Sequence, residues 1–391
     1  MVFWVPIMKI TDVKAYGFWA GFRNICLVKV ETDSGFYGWG ESGLSGREKA
    51  VIGTVEHFKQ FLIGKNPCQI GALWQEMYRS QYFEGGRVLA AAIAAIDIAL
   101  HDLVAKSLDI PVYQLLGGKQ RDEIPLFATS IKPMGQALID DLVELKSQGW
   151  KALRATTGAH GSPDSATTFE PRESISLVAK WMKIARHELG SEVTLGIDYH
   201  HRLSVPETVS FINRMPSGTL DFIEEPIRDQ SPAAYQSLRQ MIDTPFAIGE
   251  EFTSKWDFAP FVQNALTSFG RVDICNAGGL TESMKIAAMC ELNYIDMMPH
   301  NPLSPLCTAA SVHFCAAISN LAWLEHPPYD GSMEDYDKYF IGRPKVHNCT
   351  LKVKDTPGLG VDVNEDLIRH LPFKYWEPPR LYKKDGSYTN W

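Results

Sequence analysis

From about residue 124 the chain alternates between short β-rich runs and longer stretches with helical periodicity. The runs are IPLFATSI from Ile124, KALRATT from Lys151, VTLGID from Val193, DFIEEP from Asp221, FAIGE from Phe246, RVDICN from Arg271, IDMMPH from Ile295 and LAWLEH from Leu321. Between them lie amphipathic stretches such as residues 175–189 and 281–292. Strands that alternate with helices call for parallel pairing, and eight such units close into a barrel. Upstream, residues 25–32 (ICLVKVET) run into an Asp33-Ser34-Gly35 turn signal and resume at 36–39, which predicts a hairpin. Residues 89–108 form an Ala-rich helical pattern that is apolar nearly all round, so it should lie buried between layers. Its Asp97, His101 and Asp102 read as residues that cap or pair at one end of the helix rather than as catalytic groups. Leu115-Leu116-Gly117-Gly118-Lys119 stops helical structure with glycine. Beyond about 345 short β runs and a Pro357-Gly358-Leu359-Gly360 turn return, a segment expected to pack back on the N-terminal part. The resulting division is 1–123, 124–345 and 346–391.

Composition narrows the picture only a little. Of 391 residues 45% are hydrophobic and 21% charged, as in ordinary globular chains. Lys and Arg number 38 against 46 Asp and Glu, a net charge of −8. Neutralising phosphates needs a basic face, so nucleic acid is not an expected partner. Any attraction for an anionic ligand must come from local cations or a metal. Seven scattered cysteines without a C-x-x-C pair fit a reducing compartment and argue against zinc. No apolar run is read as reaching the length that crosses a bilayer, and membrane association is not expected. The opening MVFWVPIM lacks a basic start and a small-residue cleavage site, so it is not read as a signal peptide. A cytoplasmic location is expected.

In a β/α barrel the chemistry gathers at the C-terminal strand ends. The last polar residues of the runs are Arg154 and Thr156, Asp198, Glu224, Glu250, Asp273, His300 and Glu325. From Asp198 the spacings are 26, 26, 23, 27 and 25, one strand-helix unit each, which places all six on one rim. A single such carboxylate would read as a solvated loop residue. Three in succession, Asp198, Glu224 and Glu250, would repel one another in a partly buried site unless a hard divalent cation neutralised them. Mg²⁺ suits oxygen ligands and keeps positions open for substrate. Glu225 and Glu251 alternate to the opposite face and read as structural. His200, two residues after Asp198, shares its face and suits acid/base work, whereas His201 points away. Asp273 next to His300 would fix the imidazole tautomer and yield a general base; the bland reading is a structural pair at the rim.

The order Asp-x-His, Ile-Glu-Glu-Pro, Gly-Glu, Asp-x-x-x-Ala-Gly-Gly and Pro-His-x-Pro resembles the mandelate racemase subgroup of the enolase superfamily, most of all its galactonate- and mannonate-type acid-sugar dehydratases. Gly-x-x-Gly-Trp-Gly-Glu at 35–41, Ala95-Ile96-Asp97, residues 115–119 and Pro-Gly-Leu-Gly-Val at 357–361 extend the match over nearly the whole chain. The resemblance implies a modified TIM barrel of (β/α)7β type under an α+β capping domain built from the N-terminal region and the C-terminal segment. It implies one Mg²⁺ on Asp198, Glu224 and Glu250, a His300–Asp273 dyad as base, His200 as acid, and a homo-oligomer. Two departures stand out. The racemase Lys-x-Lys at the second barrel strand is replaced by Arg154 and Thr156, and arginine is a poor base but a good carboxylate binder. The tyrosine that mannonate dehydratases carry after that strand is absent between Ala155 and Glu173, where the aromatic residue is Phe169.

The expected reaction is loss of water from a sugar acid, aldonate or aldarate, to give a 2-keto-3-deoxy acid. His300 would take the α-proton and His200 would protonate the departing 3-hydroxyl. Glu325 would hydrogen-bond the substrate carboxylate if protonated, or a hydroxyl if not. Residues 18–24 (FWAGFRN), 43–47 and 82–87 (YFEGGR) are the candidate lid elements. Arg23 or Arg87 could bind a distal carboxylate, or be surface arginines. The alternatives are a sugar-acid epimerase or cycloisomerase with the same metal and base, and a catalytically idle acid-sugar binder.

Overall fold

The computed structural model describes residues 8–79, 82–157, 167–326, 333–378 and 380–390. The chain begins with a three-stranded antiparallel sheet of β1 (Ile10–Trp19), β2 (Asn24–Thr32) and β3 (Tyr37–Ser42), in which the expected hairpin is the β2–β3 pair. Helices Glu48–Leu62, Ile70–Arg79 and Arg87–Ser107 follow. The third buries Ala90 through Ala105 without a break, as a helix apolar on every side must. Alanine lets it approach the sheet so closely that glycine is required opposite it. A Cβ on Gly38 would lie 2.0 Å from the Ala99 carbonyl oxygen, and one on Gly40 would lie 1.9 Å from that of Ala95.

That helix corrects one expectation. By length and composition it could cross a bilayer, and no other helix among the described residues passes that test. Here 89% of its apolar window is buried inside the protein, against the sheet on one side and the helix Gly279–Leu292 on the other. Its polar residues are joints. Asp97 Oδ2 accepts from the Thr281 amide at 3.0 Å and lies 3.3 Å from His101 Nδ1. Asp102 accepts from the amides of Trp39 and Leu359 and from Lys106.

Eight parallel strands follow: β4 (Glu123–Ser130), β5 (Ala152–Thr156), then, after the short β6 (Thr167–Thr168), β7 (Thr194–Asp198), β8 (Phe222–Glu224), β9 (Phe246–Ile248), β10 (Phe269–Gly270), β11 (Asp296–Met297) and β12 (Leu324–His326). Their order runs β11-β10-β9-β8-β7-β5-β4, with β12 paired to β4 and Met297 bridged to Leu321, so the sheet closes into a barrel. Each of the seven intervals between barrel strands carries a helix, the (β/α)7β arrangement. The sixth strand begins two residues before the RVDICN run, yet the ladder continues through that run. Arg271 N donates to Ile248 O at 3.0 Å, and His300 N to Val272 O at 3.0 Å.

The first 120 residues and the barrel are joined by buried polar contacts. Glu41 accepts from the Ser304 amide and hydroxyl and from the Cys307 amide, at the N-terminus of the helix Pro305–Ala317. Burial lifts its carboxyl to about 7 against these hydrogen bonds. Trp74 Nε1 donates to Gly278 O at 2.7 Å. The C-terminal segment does two things. Thr350–Lys352 pairs antiparallel with β4, while Asp362 and Glu365 accept hydrogen bonds from Tyr37 and Tyr16 of the N-terminal sheet.

Candidate active site

Parallel pairing in register brings the strand ends to one rim: Thr156 lies opposite Asp198, and Asp198 opposite Glu224. The ends open into a cavity of about 440 Å³ lined by Thr129, Arg154, Thr156, Asp198, His200, Glu250, His300 and Glu325. Its upper wall comes from the candidate lids, with Phe22 and Arg23, Gly43 to Ser45, and Arg87. Thr253, Asn276, Leu303, Trp376 and Pro378 also line the cavity. Gly43 packs closely in the wall, because a Cβ there would sit 2.7 Å from Asn276 Nδ2 and displace that side chain.

Asp198, Glu224 and Glu250 each offer an oxygen, and these atoms lie within 4.8 Å of one another. Burial and the charges of Glu224 and Asp198 push the Glu250 carboxyl well above the usual range. Such a trio must hold a proton or a cation. For Asp198 burial acts in the same direction, but His200 and Arg154 outweigh it and hold its carboxyl low. The oxygen-only donor set and its spacing fit a divalent cation of the magnesium class.

Arg154 reaches the cavity but spends its donors on the protein. Nη1 donates to Glu224 at 2.6 Å, Nη2 to Glu325 at 2.6 Å and Nε to Thr129 at 3.1 Å. Glu325 is gripped on its other oxygen by Arg271 Nη2 at 2.8 Å. Burial raises the Glu325 carboxyl, but the two guanidinium groups outweigh it and keep the group ionised, which leaves no proton to donate. Arg271 was missed by sequence reasoning. It is fully buried, donating through Nε to Glu224 at 2.6 Å and through Nη1 to Met298 O at 2.8 Å. Its signal was available, because two residues before Asp273 on a strand means the same face. Asp198, Glu224, Glu250 and Glu325 against Arg154 and Arg271 leave two negative charges, the charge of one divalent cation.

His300 Nδ1 lies 2.7 Å from Asp273 Oδ2, and the other Asp273 oxygen accepts from the Cys275 amide at 2.8 Å. The Nε2 is thereby turned towards the carboxylates, 3.7 Å from Glu250. His200 Nε2 lies 2.9 Å from Asp198 Oδ2. His201 turns away from the cavity, as expected, although β7 ends at Asp198 and the backbone at 200–201 is left-handed, and Glu225 is likewise buried behind it. Burial works against a charged His201, but the carboxylates of Glu225, Glu251 and Asp229 outweigh it and lift the imidazole to about 9. Glu251 was read as facing away, yet it lines the cavity. There it lies 3.3 Å from Arg87 Nη1, so the Arg87 charge is already partnered. Arg23 lies over the Phe22 ring, 5.1 Å from its centroid. Of residues 155–173, the stretch without tyrosine, 158–166 lie outside the described residues.

The family described as mandelate racemase/muconate lactonizing enzyme, N-terminal domain, matches residues 21–117, and enolase C-terminal domain-like matches 137–367. A protein from Caulobacter vibrioides named D-mannonate dehydratase is 32% identical, covering 98% of this chain and all of its own. One from Variovorax paradoxus named D-galactonate dehydratase is also 32% identical, over the same shares. An enolase from Pantoea ananatis, crystallised with D-gluconate and magnesium, superposes with a TM-score of 0.90 at 28% identity over 98% of this chain and all of its own. The chain belongs to the mandelate racemase/muconate lactonizing enzyme family of the enolase superfamily.

Proposed function

We propose that this chain is a lyase, a magnesium-dependent dehydratase that removes water from a sugar acid to give a 2-keto-3-deoxy acid. The observation that carries the reading is a cavity lined by Asp198, Glu250, His300 and His200, with Glu224 converging on the two carboxylates and Asp273 backing His300 from behind the wall. Mannonate, galactonate and gluconate, named for or bound to three of the relatives, are six-carbon monocarboxylates, and that substrate class is assigned here.

Asp198, Glu224 and Glu250 would hold the cation, which supplies positive charge against the substrate carboxylate as the α-proton leaves. His300 takes that proton on Nε2. Asp273 keeps Nδ1 protonated in the resting ring and stabilises the imidazolium that forms. His200 delivers a proton to the 3-hydroxyl as it departs as water. The resulting enol becomes the keto acid by taking a proton at C3. Arg154 and Arg271 hold the Glu224 and Glu325 carboxylates in place during these transfers, and their charges keep Glu325 ionised. Arg23, at the cap side of the cavity, would contact the distal end of the substrate, with Arg87 held back by Glu251.

The test is a stereochemically complete set of sugar acids incubated with Mg²⁺ and the protein, read as 2-keto acid by semicarbazide absorbance. At least one six-carbon aldonate should react, and EDTA or His300→Asn should abolish the signal. A set converted equally well by His300→Asn would remove His300 from the mechanism.

A further inference from the structure

His201 is only 4% exposed and does not reach the cavity. Its contacts lie behind the rim. The backbone amide donates to Glu225 O at 2.7 Å, Nδ1 lies 3.0 Å from Glu225 Oε2, and Nε2 lies 3.4 Å from Glu251 Oε2. Glu225 Oε1 in turn accepts from the Gly249 amide at 2.7 Å. Each residue tied in this way is a close chain neighbour of a metal-site carboxylate. His201 is three residues past Asp198, Glu225 follows Glu224, and Gly249 and Glu251 flank Glu250.

The backbone at these positions needs support. His200, His201 and Glu225 have φ of 44°, 59° and 39°. Residues other than glycine stay in that region only where their surroundings over-determine it. The bridge also leaves the barrel, because Glu251 Oε1 lies 3.3 Å from Nη1 of Arg87, the first residue of the helix Arg87–Ser107.

We infer that His201 is a positioning residue for the metal centre: braced between Glu225 and Glu251, it fixes the loops after β7, β8 and β9 so that Asp198, Glu224 and Glu250 aim at one cation, and through Glu251 it ties that platform to Arg87. The inference deepens the magnesium reading and rests on it. His201 touches no reacting atom, so its removal should act on metal binding rather than on the proton transfers.

The test is calorimetric titration of EDTA-stripped protein with Mn²⁺, using wild type, His201→Asn and Glu225→Gln, with melting temperatures alongside. Removing such a support typically weakens metal binding about ten- to a hundred-fold, and each variant should fall in that range, with activity partly recovered at raised Mg²⁺. A merely structural role would lower the melting temperature and leave the metal midpoint in place. Folded variants that bind Mn²⁺ within about two-fold of wild type overturn the inference, far short of the loss expected. If His201→Asn does not fold, Glu225→Gln, which keeps side-chain size and the Gly249 contact, decides alone. Wild type that binds no divalent cation overturns the magnesium reading itself, which separates the two failures.

Discussion

Arg271→Met is the sharpest perturbation of the charged barrel mouth. It keeps most of the apolar stem and removes three donors at once, from Glu224 at 2.6 Å, Glu325 at 2.8 Å and the Met298 carbonyl at 2.8 Å. Arg154 still holds the second oxygen of each carboxylate at 2.6 Å, so neither becomes wholly unpaired. Breaking a buried pair by removing one partner costs about 3–5 kcal/mol. An abandoned buried carbonyl adds about 1–3 kcal/mol, though the two losses overlap at one side chain. A loss of about 4 kcal/mol in unfolding free energy is therefore expected in EDTA, where no cation can compensate. Arg271→Lys retains the charge but not the planar fork and should lie between the two. The assay is urea denaturation followed by the fluorescence of the 10 tryptophans. A loss below about 1 kcal/mol, the scale of a solvent-screened pair, would refute the claim that Arg271 holds a buried ionic network.

Three further outcomes follow from the packing and ionisation described. Burial lowers His313 to about 4, and its Nδ1 accepts from the Tyr113 amide. The fold thus favours the neutral ring, and the unfolded chain takes up the proton first. Its contribution is complete above about pH 6.5 and is lost as pH falls towards 4, roughly 3 kcal/mol in all. Denaturation at pH 6.5 and pH 4 should show that slope, and His313→Gln should flatten it. Gly40→Ala should destabilise the cap by at least about 1–3 kcal/mol, because its Cβ would meet the Ala95 carbonyl at 1.9 Å; calorimetric melting checks this. Trp376→Ala should raise KM more than it lowers kcat, since Trp376 lines the cavity but its indole carries no group for the proton transfers; steady-state kinetics separate the two.

Much of the site was legible because a repeating strand-helix unit prints its period on the sequence. Six strand-end residues 23 to 27 apart need no knowledge of the loops to be placed on one rim. The buried helix was legible for a similar reason, since a segment apolar all round has no face to give to solvent. Arg271 escapes a reading by strand ends because it opens its β-rich run instead of closing it, although it lies two residues before Asp273. Trp376 and Pro378 escaped for a deeper reason: they reach the cavity from beyond the last regular elements of the barrel, and no periodicity announces such a return. Arg87 reads from the sequence as a lid arginine that could bind a distal carboxylate or lie on the surface; it does line the cavity, but its ion partner there, Glu251, is 164 residues away and no local pattern points to it. Local patterns fix the face of a residue within a regular strand, but fail just past its end, as at Glu251, and do not say which distant group a side chain will meet.

The central claim is tested most directly by the mass of the product that the Mg²⁺-loaded protein makes from a six-carbon aldonate. A product lighter by one water, carrying a 2-keto group and absent with His300→Asn, is what the His300, Asp273 and His200 arrangement predicts. A product of unchanged mass would contradict dehydration and assign the same cavity to isomerisation.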